Sequence, residues 1–454
     1  MRMSATDAGF LYLDRPHAPL QIASLLLLER GVGVEALVAR VESRIWRMPR
    51  YAQRAMAVPL ALGHPSWEPA PEFDARDHVR RWALPSPGGE HELASLAARL
   101  LEQPLQRTRP LWEMHLIEGL HDGRTALLIK VHHCMVDGLS GVRLLDEMLD
   151  TSSAVADPFP VPLPRRREPA ASELVRRALG DGLRRQLRSA AALADAIRRP
   201  SQARQAARGL LDAAWSSVRL ATGEIPKLPW NEALGPRRQL YFTSLPLEPL
   251  HALRKARGAT VNDIVLCGLA GGLHRYLRAI GVRTRGLELT ALVPVSLRSA
   301  EEAASLGNRI SAILVPLAVD VEDELARLAA TRAITNRLKA EGAWTGIDAL
   351  LRLLDDVPPA LVALAGRGVR NVRIANLIAT NVPGPRETRF LCGSRVEAIH
   401  PVVPIADGLG LGLAVLSYAG TLYLGLNADP ALVPDLEKLG RSIESAFDEL
   451  RSRA

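Results

Sequence analysis

The sequence is short of cysteine, of long apolar runs and of aromatic residues. Its three cysteines, Cys134, Cys267 and Cys392, are scattered and odd in number. They supply neither a disulfide framework nor paired metal-ligand spacing. The richest apolar stretch, Ile22 to Leu28, falls far short of the roughly 20 residues that a membrane-spanning helix requires. Asp7 and Asp14 interrupt the N-terminal region, so no signal peptide is expected there. The expectation is a cytoplasmic protein without a transmembrane anchor. Aromatics make up 4% of residues, which leaves Leu, Val and Ala to build most of the core.

What is present is a globular composition, 48% hydrophobic and 23% charged, over 454 residues. That length suits two domains better than one core. The net charge of +8 invites a nucleic-acid reading until it is mapped. Twelve arginines and four acids lie between Arg165 and Arg208, and that segment carries the whole excess. No basic stripe with interleaved aromatics occurs elsewhere, so sequence-specific nucleic-acid binding is not expected.

Strand-like and helix-like stretches alternate through residues 1–150. Ile22–Glu29 reads as a strand, Leu93 to Leu101 carries a helical stripe, and Leu139–Leu149 is helical. Trp112–Leu120 and Thr125–His133 are two strands joined by a turn at His121-Asp122-Gly123. Residues 151–235 read as an inter-domain connection, Pro-rich at its start, strongly basic and partly helical. Residues 236–454 alternate again. Thr260–Leu277 is predicted helical with Thr260 or Asn262 as its cap, and Leu287–Val295, Ile310–Val319 and Arg373–Thr380 as strands. Asn381–Pro385 is predicted as a rigid turn, Leu411–Leu416 and Leu422–Leu426 as a hairpin around Ala419-Gly420, and the chain ends in a helix. The fold class is α/β or α+β.

The sharpest chemical feature is Lys130-Val-His-His-Cys-Met-Val-Asp-Gly138, in which a strand feeds two adjacent histidines, followed by Asp137 and Gly138 before a helix. Imidazole titrates near neutrality and can take a proton from an attacking group and return it to a leaving group. Neighbouring residues at a strand end point to opposite sides, so only one histidine faces a shared cavity. That role is assigned to His133, with His132 in support. The competing readings are a packed histidine pair with Asp137 as a helix cap, and a metal site of His132, His133, Cys134 and Asp137. No further ligand cluster completes a metal site, so none is expected.

His132 to Gly138 matches the HHxxxDG motif of the CoA-dependent acyltransferase superfamily, which includes chloramphenicol acetyltransferase and peptide-synthetase condensation domains. Pro110-Leu111-Trp112 resembles the PLW motif of bacterial wax ester synthase/diacylglycerol acyltransferases, and Ser4 to Phe10 resembles their opening. Val261-Asn262-Asp263, Val293 to Arg298, Gly307-Asn308-Arg309 and Asn381 to Pro385 fit in order. The resemblance covers nearly the whole chain. It implies two chloramphenicol-acetyltransferase-like domains with a substrate tunnel at their interface. His133 would be the general base, and Asp137 would point away from substrate toward an arginine.

The resemblance further implies transfer of a long-chain acyl group from acyl-CoA, as co-substrate, to a fatty alcohol or diacylglycerol, without a metal or redox cofactor. Asn262 could donate to the tetrahedral oxyanion, a role whose loss typically costs about 10²–10³ in rate, or cap a helix. Gly138, Trp112, Ser296 and Arg298 are candidate substrate-binding residues, each with a structural alternative. Cys134 is read as filler. The alternatives for the whole chain are an acyltransferase on a carrier-bound or polyketide-type substrate and a non-catalytic lipid-binding homologue. In the connection, Val175, Leu179, Leu183, Ala190, Leu193 and Ile197 form one helical stripe opposite an arginine face. Such a helix either lies on an anionic membrane or lipid droplet or turns its stripe onto its own protein.

Overall fold

The computed structural model describes residues 1–136, 138–154, 167–198, 225–296, 310–341, 357, 359–368 and 374–453. In chain order its strands are β1 (Gln21–Leu28), β2 (Gln53–Met56), β3 (Ser66–Pro69), β4 (Val79–Ala83), β5 (Trp112–Glu118), β6 (Thr125–His132) and β7 (Gln239–Pro246). They continue as β8 (Leu289–Ser296), β9 (Ile310–Leu317), β10 (Leu377–Pro383), β11 (Phe390–Leu391), β12 (Ser394–Val402), β13 (Leu411–Tyr418) and β14 (Thr421–Ala428). Two six-stranded sheets result, in the orders β11-β12-β1-β6-β5-β4 and β7-β14-β13-β10-β8-β9, beside a small β2-β3 pair. With helices interspersed along the chain, the class is mixed α/β.

Each sheet covers its own core. In the first, Leu26 and Leu28 of β1, Leu116 of β5 and Leu127 of β6 join Leu37 and Val41 of the helix Val34–Arg44. The opposite face of this sheet meets Leu93, Ala97 and Leu101 of the helix Glu90–Glu102. In the second, the helix Val261–Ala279 is buried along most of its length against the C-terminal helix Leu436–Ser452. A Cβ at Gly272 would lie 2.3 Å from Ile443 Cγ1, so these helices meet closer than any larger residue permits.

The first sheet is not built from one contiguous stretch of sequence. β12 leaves the second half, runs antiparallel to β1 and brings β11 with it into the first sheet. Val396, Ala398 and Ile399 are buried there in the first core, which is what draws the strand across. The crossing strand is also fastened to the second sheet: Tyr418 Oη donates to the Val396 carbonyl, Tyr423 Oη to that of Glu397, and Asn427 Nδ2 to that of Val403.

Two local expectations also shift. β10 continues through Asn381, Val382 and Pro383, paired parallel with Val415, Leu416 and Ser417, where a turn was predicted. Its pairing with β8 involves Leu377 and Ile378 only. Among the described residues no strand pairs with Pro383 on the side of β8, so its missing N–H costs no ladder bond there. The connection contains the helix Ala171–Arg198, but its last residues belong to the second domain: Trp230 is fully buried and Asn231 donates to the carbonyls of Asn376 and Gly408. The predicted hairpin forms, with Ala419 and Gly420 at φ 45° and 81°, the positive pair that a tight two-residue turn requires.

Candidate active site

β6 is central in its sheet and buried at every residue, which gives the histidine pair a rigid base. Backbone bonds fix the strand end. The His132 N–H donates to the Leu111 carbonyl and the His133 N–H to that of Leu20, each at 2.9 Å. The Met135 N–H then turns back onto the His132 carbonyl at 2.9 Å, and the helix Gly138–Met148 follows. Gly138 is thus the first helical residue. Asp137 lies outside the described residues.

The two rings sit in different surroundings. His132 is 3% exposed. Its Nδ1 accepts the Cys134 N–H at 3.1 Å, and its Nε2 faces Asp14 Oδ2 at 3.5 Å. Asp14 in turn accepts from the Leu20 N–H and from Arg107, each at 2.9 Å. Burial works against the charge on Asp14, but His132, the Leu20 N–H and Arg107 outweigh it and hold the carboxyl below its ordinary value. His133 is half-buried, with its ring flat on Phe10 at a centroid distance of 4.0 Å and an interplanar angle of 9°. Its imidazole is therefore held in orientation by one face while part of the residue stays open to solvent. That suits a group that exchanges protons with a substrate.

Phe10 and Asp14 come from one short helix. Ala5–Leu13 is capped by Ser4 Oγ, which accepts the Asp7 N–H, and the Asp14 N–H closes its other end on the Phe10 carbonyl. The sequence motif around Ser4 to Phe10 drew attention to this segment, but nothing in its spacing pointed it at the histidines.

The remaining sequence-predicted residues are dispersed. Trp112, opposite Val131 across the β5–β6 ladder, is 2% exposed. Its indole N–H donates to the Tyr51 carbonyl and its ring stacks on His78, so it lies within the first core. Asn262 is the second residue of the helix Val261–Ala279 and is half-buried. Thr260 caps that helix and Asp263 completes the capping box, which removes the capping role considered for Asn262. Ser296 ends β8 opposite Ile310, and Arg298 lies outside the described residues. Among the described side chains, Asn262 does not enter the network just described around the histidine pair. Cys134 is buried, and burial pushes its thiol well above the ordinary range, with Asp7 and Asp14 adding to the effect. A thiol so placed is a poor nucleophile.

Two further features were not anticipated. Lys130 is fully buried two residues before His132. Its ammonium donates to the carbonyls of Leu100 and Gln103 and sits against Glu113 Oε2, each at 3.0 Å. His115 Nε2 faces the same carboxylate at 3.2 Å, and Trp82 Nε1 donates to its Nδ1. A cavity of about 650 Å³ opens between the β2–β3 pair and the start of the connecting helix, lined by Met1, Trp67, Glu68, Glu173, Arg176 and Arg177. None of the sequence-predicted site residues lines it, and Glu68 and Glu173 in its wall both pair with Arg177. Among the described residues, no group of three His, Cys, Asp or Glu is arranged to hold a metal ion, and no helix is long and apolar enough to cross a membrane.

The family model of the wax ester synthase/diacylglycerol acyltransferase catalytic domain matches residues 3–265, and that of the family's C-terminal domain matches residues 306–451. A Mycobacterium tuberculosis protein named "Probable diacyglycerol O-acyltransferase tgs1" is 34% identical over 99% of this chain and 95% of its own length. A solved structure of a wax ester synthase/diacylglycerol acyltransferase from Marinobacter aquaeolei superposes with a TM-score of 0.68 at 25% identity, covering 100% of this chain and 99% of the other. The first condensation domain of the calcium-dependent antibiotic synthetase shares the fold, with a TM-score of 0.62 at 18% identity over 99% of this chain and 95% of that one. The chain belongs to the wax ester synthase/diacylglycerol acyltransferase family of acyltransferase enzymes.

Proposed function

We propose that this chain moves a long-chain acyl group from acyl-CoA to the hydroxyl of a fatty alcohol or diacylglycerol, with His133 as general base. The observation that carries the reading is the His133 ring, half-buried at the end of a rigid strand and oriented by Phe10. His133 takes the hydroxyl proton as the oxygen attacks the thioester carbonyl. The tetrahedral intermediate collapses, the C–S bond breaks, and the imidazolium returns the proton to the departing thiolate. The step as written uses no metal or redox group. Asn262, relieved of capping by Thr260 and placed at the positive end of a helix, is the candidate donor to the oxyanion. For Asp137 we keep only the supporting role that the motif resemblance implies.

The test is radiolabelled palmitoyl-CoA offered with hexadecanol or dioleoylglycerol to wild type and His133→Ala, with products resolved by chromatography. A fall of about 10²–10⁴ in turnover is expected. Equal turnover would overturn the base assignment, and no transfer to either acceptor would overturn the substrate class.

A second reading concerns the connecting helix, for which we propose contact with an anionic membrane or lipid-droplet surface. Leu174 and Ala178 are buried against the first domain, whereas Leu179 and Leu183 are 59% and 58% exposed. Where described, the apolar stripe thus faces away from the protein, next to exposed Arg176 and Arg184. That arrangement favours lipid over self-packing. Replacing both leucines by Ser should release the protein from anionic liposomes in a sedimentation assay, and unchanged sedimentation would end this reading.

A further inference from the structure

We infer that Asp14 is a positioning residue for the histidine pair, acting on His132 through its carboxylate and on His133 through its helix. This rests on the assignment of His133 as base. The Cys134 N–H donates to His132 Nδ1, so the single proton of a neutral ring is on Nε2. That N–H is buried, makes no hydrogen bond of its own and has Asp14 Oδ2 3.5 Å away. Among the described residues, this carboxylate is the charge placed to hold this tautomer. It is itself pinned by the Leu20 N–H on Oδ1 and by Arg107 on Oδ2.

The consequence reaches the base by two routes. With Nδ1 kept as an acceptor, His132 holds the Cys134 amide and, through its carbonyl, the Met135 amide, which together close the turn that carries His133. The Leu20 residue whose N–H Asp14 binds is also the one whose carbonyl receives the His133 N–H. On the other side, the Asp14 backbone N–H ends the helix Ala5–Leu13 on the carbonyl of Phe10, whose ring lies on His133. One residue therefore ties together the tautomer of the first histidine, the backbone of the second and the ring that orients it.

The experiment compares Asp14→Asn with wild type in the full chain by steady-state kinetics. The state of the His132 ring is read from side-chain nitrogen NMR of histidine-labelled protein, with His132→Gln used to assign the signal. Asp14→Asn keeps an oxygen for the Leu20 N–H but loses the charge facing Nε2. The expected result is at least a tenfold loss of kcat with KM for acyl-CoA within twofold, together with a His132 signal shifted away from the pure Nε2–H form. Asp14→Glu, which restores the charge, should recover part of kcat. Unchanged kcat overturns the inference. So does a loss of kcat with an unaltered His132 signal, since Asp14 would then act through folding alone. If Asp14→Asn does not fold, Arg107→Gln loosens the same carboxylate from the surface and should lower kcat severalfold, and no effect there overturns the inference equally. The two readings fail separately. An active His133→Ala defeats the base, whereas an inactive His133→Ala beside a fully active Asp14→Asn defeats only the role of Asp14.

Discussion

Phe10 lies flat against His133, their ring centroids 4.0 Å apart and their planes within 9° of parallel. A stacked face limits how far an imidazole can swing, while the ring's proton chemistry takes place in its plane, away from that face. Aromatic pairs of this kind contribute about 0.5–1.5 kcal/mol beyond the area they bury. If that energy holds the ring in its reactive orientation, Phe10→Ala should lower kcat by about 2- to 10-fold. Phe10→Leu, which fills space without a flat face, should recover stability more than rate. Steady-state kinetics beside thermal melts would separate the two effects.

The crossing strand predicts a second site of low tolerance, one that does not involve the histidine rings. A Cβ at Gly425 of β14 would lie 1.9 Å from the carbonyl oxygen of Pro401 in β12. Backbone, not a flexible side-chain end, occupies that space, so the two sheets must separate locally to admit a methyl group. Gly425→Ala should cost about 3 kcal/mol, the upper part of the usual range for overpacking. Urea denaturation would show a lower midpoint.

How much of this was legible in the sequence depends on the distance over which each feature is determined. The β5–turn–β6–helix unit was readable because alternation, a glycine turn and a helical stripe are local signals. So was the helix beginning at Val261, although only the structure decides that Thr260, not Asn262, caps it. The destination of β12 was not readable. The sequence reading places no strand over residues 394–402, and the partner β1 lies more than 350 residues away, where no local property points. The stripe of Leu179 and Leu183 was evident on a helical wheel, while its direction depends on which face Leu174 and Ala178 bury. Asp14 read only as a break in an apolar run, because its meaning comes from a histidine brought to it by the fold.

Glu113 and Lys130 form a buried pair whose two members respond differently to burial. Burial works against the charge on Glu113, yet His115 and Lys130 hold its carboxyl down to about 2. Burial also lowers the Lys130 ammonium, and Glu113 only partly offsets it. The ionised pair is nonetheless the consistent state, since three ammonium hydrogens meet three acceptors, Leu100, Gln103 and Glu113, each at 3.0 Å. Removing one partner leaves a buried charge uncompensated, so Glu113→Gln should cost about 3–5 kcal/mol. The double variant Glu113→Gln/Lys130→Met should cost less than the sum of the single changes. The pair also sets an acid limb. The Glu113 carboxyl is depressed in the folded state, so its contribution is complete above about pH 4.5 and is lost as pH falls toward 2. Glu113→Gln should flatten that limb in denaturation curves taken across the range.

His400 sets a different limb, nearer neutrality and at the junction of the two sheets. It sits on β12 opposite Leu25, tilted against Phe242 and edge-on to Tyr423. Burial pulls its imidazole down from 6.5 to about 4, with a contact to the Leu424 backbone opposing the shift and the nearby charge of Arg124 adding to it. Between those two values the unfolded chain binds a proton that the folded chain refuses. Stability must therefore decline as pH falls from about 6.5 to about 4 and level off below, where both states are protonated. The full shift corresponds to about 3 kcal/mol, and partial exposure of the residue reduces this to on the order of 2. His400→Phe keeps a ring between Phe242 and Tyr423 and removes the titration. Its stability should change much less than that of wild type between pH 6.5 and 4, measured by urea midpoint at fixed ionic strength. Parallel pH curves for the two proteins would mean that His400 accepts its proton without disturbing the junction.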